Sequence, residues 1–237
     1  MKLLKQDCNI KMRLVPIGAG WTYVFLDICG DNHKFIISDV IGNQFYDLMF
    51  MLYHLYPDNC DPENAYHNMD YAYVLCKNTT NGYKAVSIVD NDYVVDDSSY
   101  RIYQIAYKGE FTWDEEGGWS NWIVEREPTL DNSFDLIIRI EHLGHNDEAV
   151  RKYDYKVSYR DFCYAVAKAC TETIKKHGFL GYHHAVSYHD MNIRHLLFLK
   201  CIALRNFEAC ELTYYADNDH GETSEINKEI ELLLFEM

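Results

Sequence analysis

The chain lacks the long apolar runs and the linkers that would mark membrane spans or separate domains. No stretch approaches the roughly 18 uncharged apolar residues that a membrane-spanning helix needs. Only 4 prolines occur in 237 residues, and no Pro/Ser-rich linker or internal repeat divides the sequence. We therefore predict a single domain over residues 1–237, with residues 58–97 as an inserted or irregular region.

Basic residues are scarce as well. The chain carries 22 Lys and Arg against 37 Asp and Glu, so its formal net charge is −15. A nucleic-acid-binding protein needs a basic surface that displaces counterions from phosphates, and an anionic membrane attracts basic segments. The charge therefore argues against nucleic acid and membrane as partners. Because 48% of the residues are apolar and 15% aromatic, the composition also excludes a disordered chain.

No pair of cysteines has the C-x-x-C spacing, although the chain contains 8 cysteines. They are spread over apolar stretches of a chain that is long enough to need no disulfide framework. This distribution predicts free, buried thiols in a reducing compartment. The first residues, Met-Lys-Leu-Leu-Lys-Gln-Asp, carry charge where a signal peptide has its apolar core. We therefore expect a cytoplasmic location.

Signatures of catalysis are missing. There is no G-x-x-x-x-G-K-[ST] phosphate loop, no G-x-S-x-G nucleophile turn and no H-E-x-x-H zinc motif. We therefore predict a protein without enzymatic activity and without a cofactor. One cluster keeps an alternative open, a metal-dependent enzyme whose ligands are His183, His189, Asp190 and His195. Surface or locally hydrogen-bonded histidines explain the same cluster.

Hydrophobic periodicity indicates the fold class. Apolar and polar residues alternate in the first part of the chain and again between residues 100 and 157, which predicts β-strands joined by glycine-containing turns. Within residues 58–97, which contain one or two further strands, four aspartates cluster around Tyr93-Val94-Val95. One helical stripe is formed by Phe45, Leu48, Met49, Leu52 and Leu55. Runs of strands with segregated helices predict an α+β fold in which helices pack on an antiparallel sheet.

Capping residues predict where the helices begin and end. Ser38 or Asp39 is expected to begin the first helix. Ser158 begins a second helix through a capping box, and Gly178 ends it. Asp190 is the expected cap of a third helix, and residues 224–235 form a weaker fourth helical stripe.

An acidic turn flanked by tryptophans is the strongest candidate for a recognition surface. Its residues are Trp113, Asp114, Glu115, Glu116, Trp119 and Trp122. Tryptophan anchors many protein interfaces, and adjoining carboxylates attract a basic partner. We therefore predict a protein-binding domain whose acidic, aromatic-rimmed surface binds a basic protein.

Two other interpretations of the aromatic residues stay open. The chain contains 20 Tyr, 11 Phe and 4 Trp, and the tryptophans of the hairpin would equally well cover a sheet face in the core. The surplus of aromatic residues would also suit the subunit interface of a homo-oligomeric structural protein. The oligomeric state is left open at this point.

Three blocks of sequence, taken in order, resemble one family. Residues 37–48, ISDVIGNQFYDL, have the pattern S-D-x-x-G-x-x-x-x-D-L. Residues 113–117 and 122–126 form W-D-x-E-G…W-x-x-x-R, and Asp161-Phe162 leads a helix into residues 178–182, GFLGY. This order resembles a group of uncharacterised bacterial cytosolic proteins, some of which look like the immunity partners encoded beside polymorphic toxins. The resemblance implies an α+β domain without known activity and identifies no catalytic residue. Together with the acidic charge of the chain, it leads us to expect an immunity protein that neutralises a basic toxin.

Overall fold

Two large antiparallel sheets, a short two-stranded antiparallel pair and four helices make up the part of the chain that the computed structural model describes. That part comprises residues 9–38, 44–57, 68–80, 82–115, 117–128, 133–144, 149–185, 191–205, 213–214, 222–223 and 226–237. The predicted α+β fold, with antiparallel sheets packed by helices, is confirmed.

The strands form a smaller and a larger sheet. The smaller has the order β1-β2-β3 and contains β1 (Ile10–Gly18), β2 (Trp21–Ile28) and β3 (Asp31–Ser38). The larger has the order β5-β4-β6-β7-β8-β9 and contains β4 (Met69–Thr79), β5 (Gly82–Val89), β6 (Tyr100–Glu115), β7 (Gly118–Glu125), β8 (Asp135–Leu143) and β9 (Arg151–Ser158). Two short strands, β10 (Thr213–Tyr214) and β11 (Glu222–Thr223), pair with each other.

Three of the helices follow the large sheet in sequence. The helices are α1 (Gln44–His54), α2 (Tyr159–Ala185), α3 (Ile193–Leu204) and α4 (Ile226–Leu234). α2 packs along β1 and against α3, while α1 lies between β6 and α3. All five residues of the predicted α1 stripe are buried, as its helical spacing requires.

The main core lies where β3 passes over the inner face of the large sheet. The Phe35 ring lies 5.4 Å from Trp113 and 5.3 Å from Trp122 between ring centroids. Farther back along β3, Nε2 of His33 lies 2.7 Å from the hydroxyl of Tyr155 on β9. Alternate residues of β2 are buried, because successive side chains of a strand point to opposite faces.

Two of the predicted helix starts are in different places. Ser38 is the last residue of β3, and α1 begins only at Gln44, so Ser38 cannot cap that helix. Asp39, the alternative cap, lies outside the described residues. At α3 the cap is Asn192, whose side-chain oxygen accepts a hydrogen bond from the backbone N–H of His195 at 2.9 Å. Asp190, the cap expected from sequence, lies outside the described residues.

The boundaries of α2 agree with the sequence at one end. Oγ of Ser158 accepts a hydrogen bond from the backbone N–H of Asp161 at 3.3 Å, which confirms the predicted cap. At the other end, Gly178 has φ 68° and ψ 169° and interrupts the helix. A second helical segment follows as far as Ala185, so Gly178 ends the first segment, as the sequence predicts, and α2 as a whole continues past it across a kink.

The stretch 58–97 contributes two strands to the large sheet. β4 is an inner strand, paired with β5 on one side and with β6 on the other. Since both neighbours run antiparallel to β4, residues 90–99 cross from one side of β4 to the other. Residues 58–67 lie outside the described residues.

The five cysteines that the structure describes are in two chemical states, and Cys8, Cys60 and Cys210 lie outside the described residues. Cys29 and Cys201 are disulfide-bonded, whereas Cys76, Cys163 and Cys170 are free and buried. The expectation of free thiols is therefore wrong for the first two, because spacing along the chain does not show which thiols the fold brings together. Burial raises the pKa of Cys163 and Cys170 well above the usual range, so both are unreactive thiols.

None of the helices in the described ranges combines the length and the apolar character that a membrane crossing needs.

Candidate functional site

The two outer tryptophans of the predicted hairpin belong to the core. Trp113 and Trp122 are fully buried, with ring centroids 4.7 Å apart, and both contact Phe111. They lie on the inner face of β6 and β7, which the small sheet covers. Their proposed role in an exposed recognition surface is therefore corrected, since a partner has no access to either ring.

Glu115 of the same hairpin is bound within the protein. Its side chain is only 5% exposed, and Oε1 lies 3.1 Å from Nε2 of His142, a distance at which the two ion-pair once the ring is protonated. Oε2 accepts a hydrogen bond from the backbone N–H of Ile36 at 3.1 Å. Glu115 thereby joins the end of the large sheet to β3, which corrects its expected place on an exposed acidic surface.

Only Asp114 and Trp119 of the hairpin candidates lie on the outer face. They are opposite each other in the β6–β7 register, Asp114 exposed and Trp119 half-buried. Glu116 lies outside the described residues. The turn itself is as predicted, since β6 ends at Glu115 and Gly117 adopts φ 78°.

The remaining outer face of the large sheet is internally neutralised. Four cations there have a carboxylate within 4 Å: Lys108 has Asp70 and Glu110, Arg139 has Glu125 and Asp154, Lys152 has Glu141, and Lys156 has Asp135. Cross-strand pairs of opposite charge stabilise a solvated sheet face. This face therefore offers few free charges to a partner.

The structure describes two of the four residues of the predicted histidine cluster. His183 is half-buried near the end of α2 and His195 is buried in the first turn of α3, whereas His189 and Asp190 lie outside the described residues. Within the described ranges, no group of three or more His, Cys, Asp or Glu side chains could hold a metal ion.

His195 occupies an aromatic pocket. Its ring centroid lies 5.3 Å from that of Tyr46, 5.8 Å from Phe50 and 4.9 Å from Tyr53. Its Nδ1 atom is buried and has no hydrogen-bond partner among the residues that the structure describes. Burial, together with the nearby His54, lowers the pKa of His195 from 6.5 to about 4, so the ring is neutral at pH 7.

An exposed apolar surface lies instead at the β5 edge of the large sheet. Among the residues that the structure describes, β5 pairs with β4 on one side only, so alternate backbone N–H and C=O groups face outward. Val86 and Ile88 are 56% and 61% exposed. In the segment that follows, Tyr93 is 48% and Val94 75% exposed.

Carboxylates flank these apolar side chains. Asp90, Asp92, Asp96 and Asp97 all lie within the same crossing segment and are exposed. Together with Val86, Ile88, Tyr93 and Val94 they form what we call the β5 edge surface. With Lys84 as the one cation among residues 84–97, this stretch carries a formal charge of −3.

The far end of the crossing segment is fixed by hydrogen bonds. The backbone N–H and the hydroxyl of Ser99 donate to Oδ1 of Asp97 at 2.8 and 2.6 Å. The carbonyl of Ser99 in turn accepts from the backbone N–H of Asn78 at 2.7 Å. The hydrogen bonds from Ser99, aided by Lys77, lower the pKa of Asp97, so this carboxylate stays charged.

The opposite edge of the large sheet has the charged character that protects exposed strands. Exposed residues of β9 include Arg151, Lys152 and Asp154, and charged side chains at a strand edge hinder pairing with another chain. β5 carries apolar side chains in the corresponding positions. The sequence contained a signal for this surface, the aspartates around Tyr93-Val94-Val95, but it did not show that the preceding strand forms a sheet edge.

Comparison of the chain with protein-family models, with curated proteins and with solved structures gave no match.

Proposed function

We propose that the protein is a non-enzymatic binding domain that holds an extended, basic segment of a partner protein along β5. The observation that carries the proposal is an edge strand with open backbone groups, exposed Val86 and Ile88, and four carboxylates beside it. An added strand gains main-chain hydrogen bonds, while its alternate side chains provide specificity. The basic partner predicted from the sequence is retained, and its place moves from the tryptophan hairpin to the β5 edge surface.

Charge decides which kind of segment would bind. The aspartates of the β5 edge surface attract Lys and Arg and repel acidic chains, which also disfavours pairing of β5 with a second copy of itself. The apolar side chains favour a segment in which apolar residues alternate with basic ones. A basic toxin has this chemistry, so the domain would act as an immunity protein, in line with the resemblance of the three sequence blocks.

The cysteines bear on the compartment in which this function would operate. Disulfides persist where thiols are not kept reduced, so the bonds of Cys29 and Cys201 favour an oxidising compartment, which departs from the cytoplasm expected from the sequence and from the cytosolic proteins that the three sequence blocks resemble. Alkylation of the denatured protein with and without reductant would count the free thiols in material from its native source. Eight free thiols without reductant would contradict this location.

A defined peptide tests the binding mode. The probe is a fluorescent peptide of alternating Lys and Val with the length of β5, 8 residues. The control peptide has the same composition with Lys and Val in separate blocks. We expect the alternating peptide to bind about tenfold more tightly, because only it places all valines on one face of an added strand.

Variants locate the binding on the protein. Ile88→Lys should abolish binding, since it puts a positive charge on the exposed edge. Neutralisation of Asp90, Asp92 and Asp96 to Asn should weaken binding and reduce its salt dependence. A control variant removes as many charges elsewhere, with the exposed residues Asp114, Glu127 and Glu231 changed to Asn or Gln, and should bind as the wild type does.

Three results would overturn the proposal. One is unchanged binding by Ile88→Lys, and another is equal loss in the two neutralised variants, which would indicate a general charge effect. The third is a wild-type dimer in sedimentation that Ile88→Lys converts to a monomer. In that case a second copy of the chain, and not a basic partner, occupies the edge.

A further inference from the structure

A cleft lies on the outer face of the small sheet, beside α2. Its volume is about 610 Å³, within the range of small-molecule sites. Three strands form its floor, with Lys11 and Arg13 on β1, Phe25 on β2 and Lys34 on β3. α2 forms one wall, and Lys168 extends from it.

The cleft collects positive charge in a strongly acidic protein. Lys11, Arg13, Lys34 and Lys168 line it, against Asp27 and Glu172 as its only acidic lining residues among those described. The lining therefore has a formal charge of +2 in a chain whose net charge is −15. The register brings Arg13, Phe25 and Lys34 into one row across the three strands.

Two of these cations, Arg13 and Lys34, rest on aromatic rings and not on carboxylates. The Arg13 guanidinium lies 4.3 Å from the centroid of Phe25, and Nζ of Lys34 lies 4.0 Å from that of Tyr23. Stacking on a ring holds a cation in place and leaves its N–H donors free to bind an anion. Within the described ranges, neither side chain has a carboxylate within 4 Å, in contrast to the four paired cations on the large sheet.

We propose that this cleft binds a small organic phosphate, with the phosphate group between the side chains of Arg13 and Lys34 and the organic part against Phe25 and Tyr164. A phosphate monoester carries nearly two negative charges at pH 7, which matches the excess charge of the lining. Arginine and lysine are the usual phosphate-binding side chains. The volume limits the ligand to a single small molecule, and the binding does not depend on the β5 edge surface.

Calorimetric titration with three probes tests the site. Adenosine monophosphate supplies a phosphate with a planar ring, adenosine supplies the ring alone and inorganic phosphate supplies the anion alone. We expect saturable binding of the monophosphate, at least about tenfold tighter than either part. Binding should weaken as the salt concentration rises.

Two variants separate the cleft from the overall charge. Arg13→Gln combined with Lys34→Gln should weaken binding of the monophosphate by about tenfold or more. The matched control changes Lys84 and Lys176 to Gln, which removes the same charge from exposed positions outside the cleft and should leave binding unchanged. All four side chains are exposed, so we expect both variants to fold.

Each contrary result is decisive. Absence of saturable binding of adenosine monophosphate up to about 1 mM would overturn the proposal. Equal affinity for adenosine would show that the phosphate contributes nothing. Equal affinity for inorganic phosphate would reduce the site to an anion site without room for an organic part, and equal loss in the control variant would show a general charge effect.

Discussion

Replacement of His195 by Phe should make the protein more resistant to acid. The ring of His195 lies among three aromatic rings, so a Phe ring suits the same pocket. Its Nδ1 is buried without a partner among the described residues, and removing such a polar atom relieves a desolvation cost of about 1–3 kcal/mol. We therefore expect the variant to be at least as stable as the wild type at pH 7.

The size of the pH effect follows from the pKa of His195. Burial and the neighbouring His54 and Arg194 hold it at about 4 in the folded protein, against 6.5 in the unfolded chain. Between these values the unfolded state binds the proton more tightly, so stability is lost as the pH falls from 6.5 towards 4. Because of this pKa difference, the free energy of unfolding of the wild type falls by about 2 kcal/mol between pH 7 and pH 5.

Urea unfolding followed by tryptophan fluorescence measures the effect, because Trp113 and Trp122 are buried in the core. The loss of unfolding free energy between pH 7 and pH 5 should be about 2 kcal/mol smaller in His195→Phe than in the wild type. All other titrating groups are common to both proteins and cancel. An equal loss in His195→Phe and wild type would refute the reasoning.

Three further changes test the packing. Glu115→Gln should lower the free energy of unfolding by about 2 kcal/mol in urea unfolding, because an amide has only one acceptor oxygen and cannot keep both the contact with Nε2 of His142 and the hydrogen bond from Ile36 that joins the two sheets; an effect below about 0.5 kcal/mol would contradict this role. Gly109→Ala should lower the free energy of unfolding by about 1–3 kcal/mol, since the added Cβ would lie 2.7 Å from Cγ and Sδ of Met51. A variant as stable as the wild type would show that the Met51 side chain moves aside freely. Lys200→Met should increase hydrogen exchange in α4, because the fully buried Lys200 donates hydrogen bonds to two carbonyls at the end of that helix. Unchanged exchange would show that apolar packing alone holds α4 in place.

The fold could be predicted from the sequence wherever the spacing of apolar residues within one segment is enough to identify a strand or a helix. β2 alternates strictly, β1 and β3 alternate over their first five residues, and short glycine turns join the three, while the α1 stripe keeps its helical spacing throughout. β4 was less evident, because it is an inner strand without strict alternation of apolar and polar residues. β6 is a single strand of 16 residues, because a register shift beside β4 lets it continue where strict alternation of apolar and polar residues is interrupted.

The candidate sites depend on contacts that no local pattern reports. Trp119 and Trp122 are an odd number of positions apart in one strand, so their side chains must point to opposite faces of the sheet. Only the structure shows that Trp122 is the buried one of the two. The exposure of Lys11 and Arg13 follows from alternation along β1. Their proximity to Lys168 on α2 depends on a packing of distant segments that periodicity does not encode.

Hydrogen exchange with the alternating Lys/Val peptide bound tests the central claim, that β5 takes up an extended basic segment. The account predicts that amides of residues 84–89 exchange at least about tenfold more slowly in the complex, because the outward-facing N–H groups of β5 gain partners from the added strand. Exchange in β9, the other edge of the large sheet, should stay as in the free protein. A bound peptide that leaves β5 exchange unchanged, or protects β9 instead, would contradict the account.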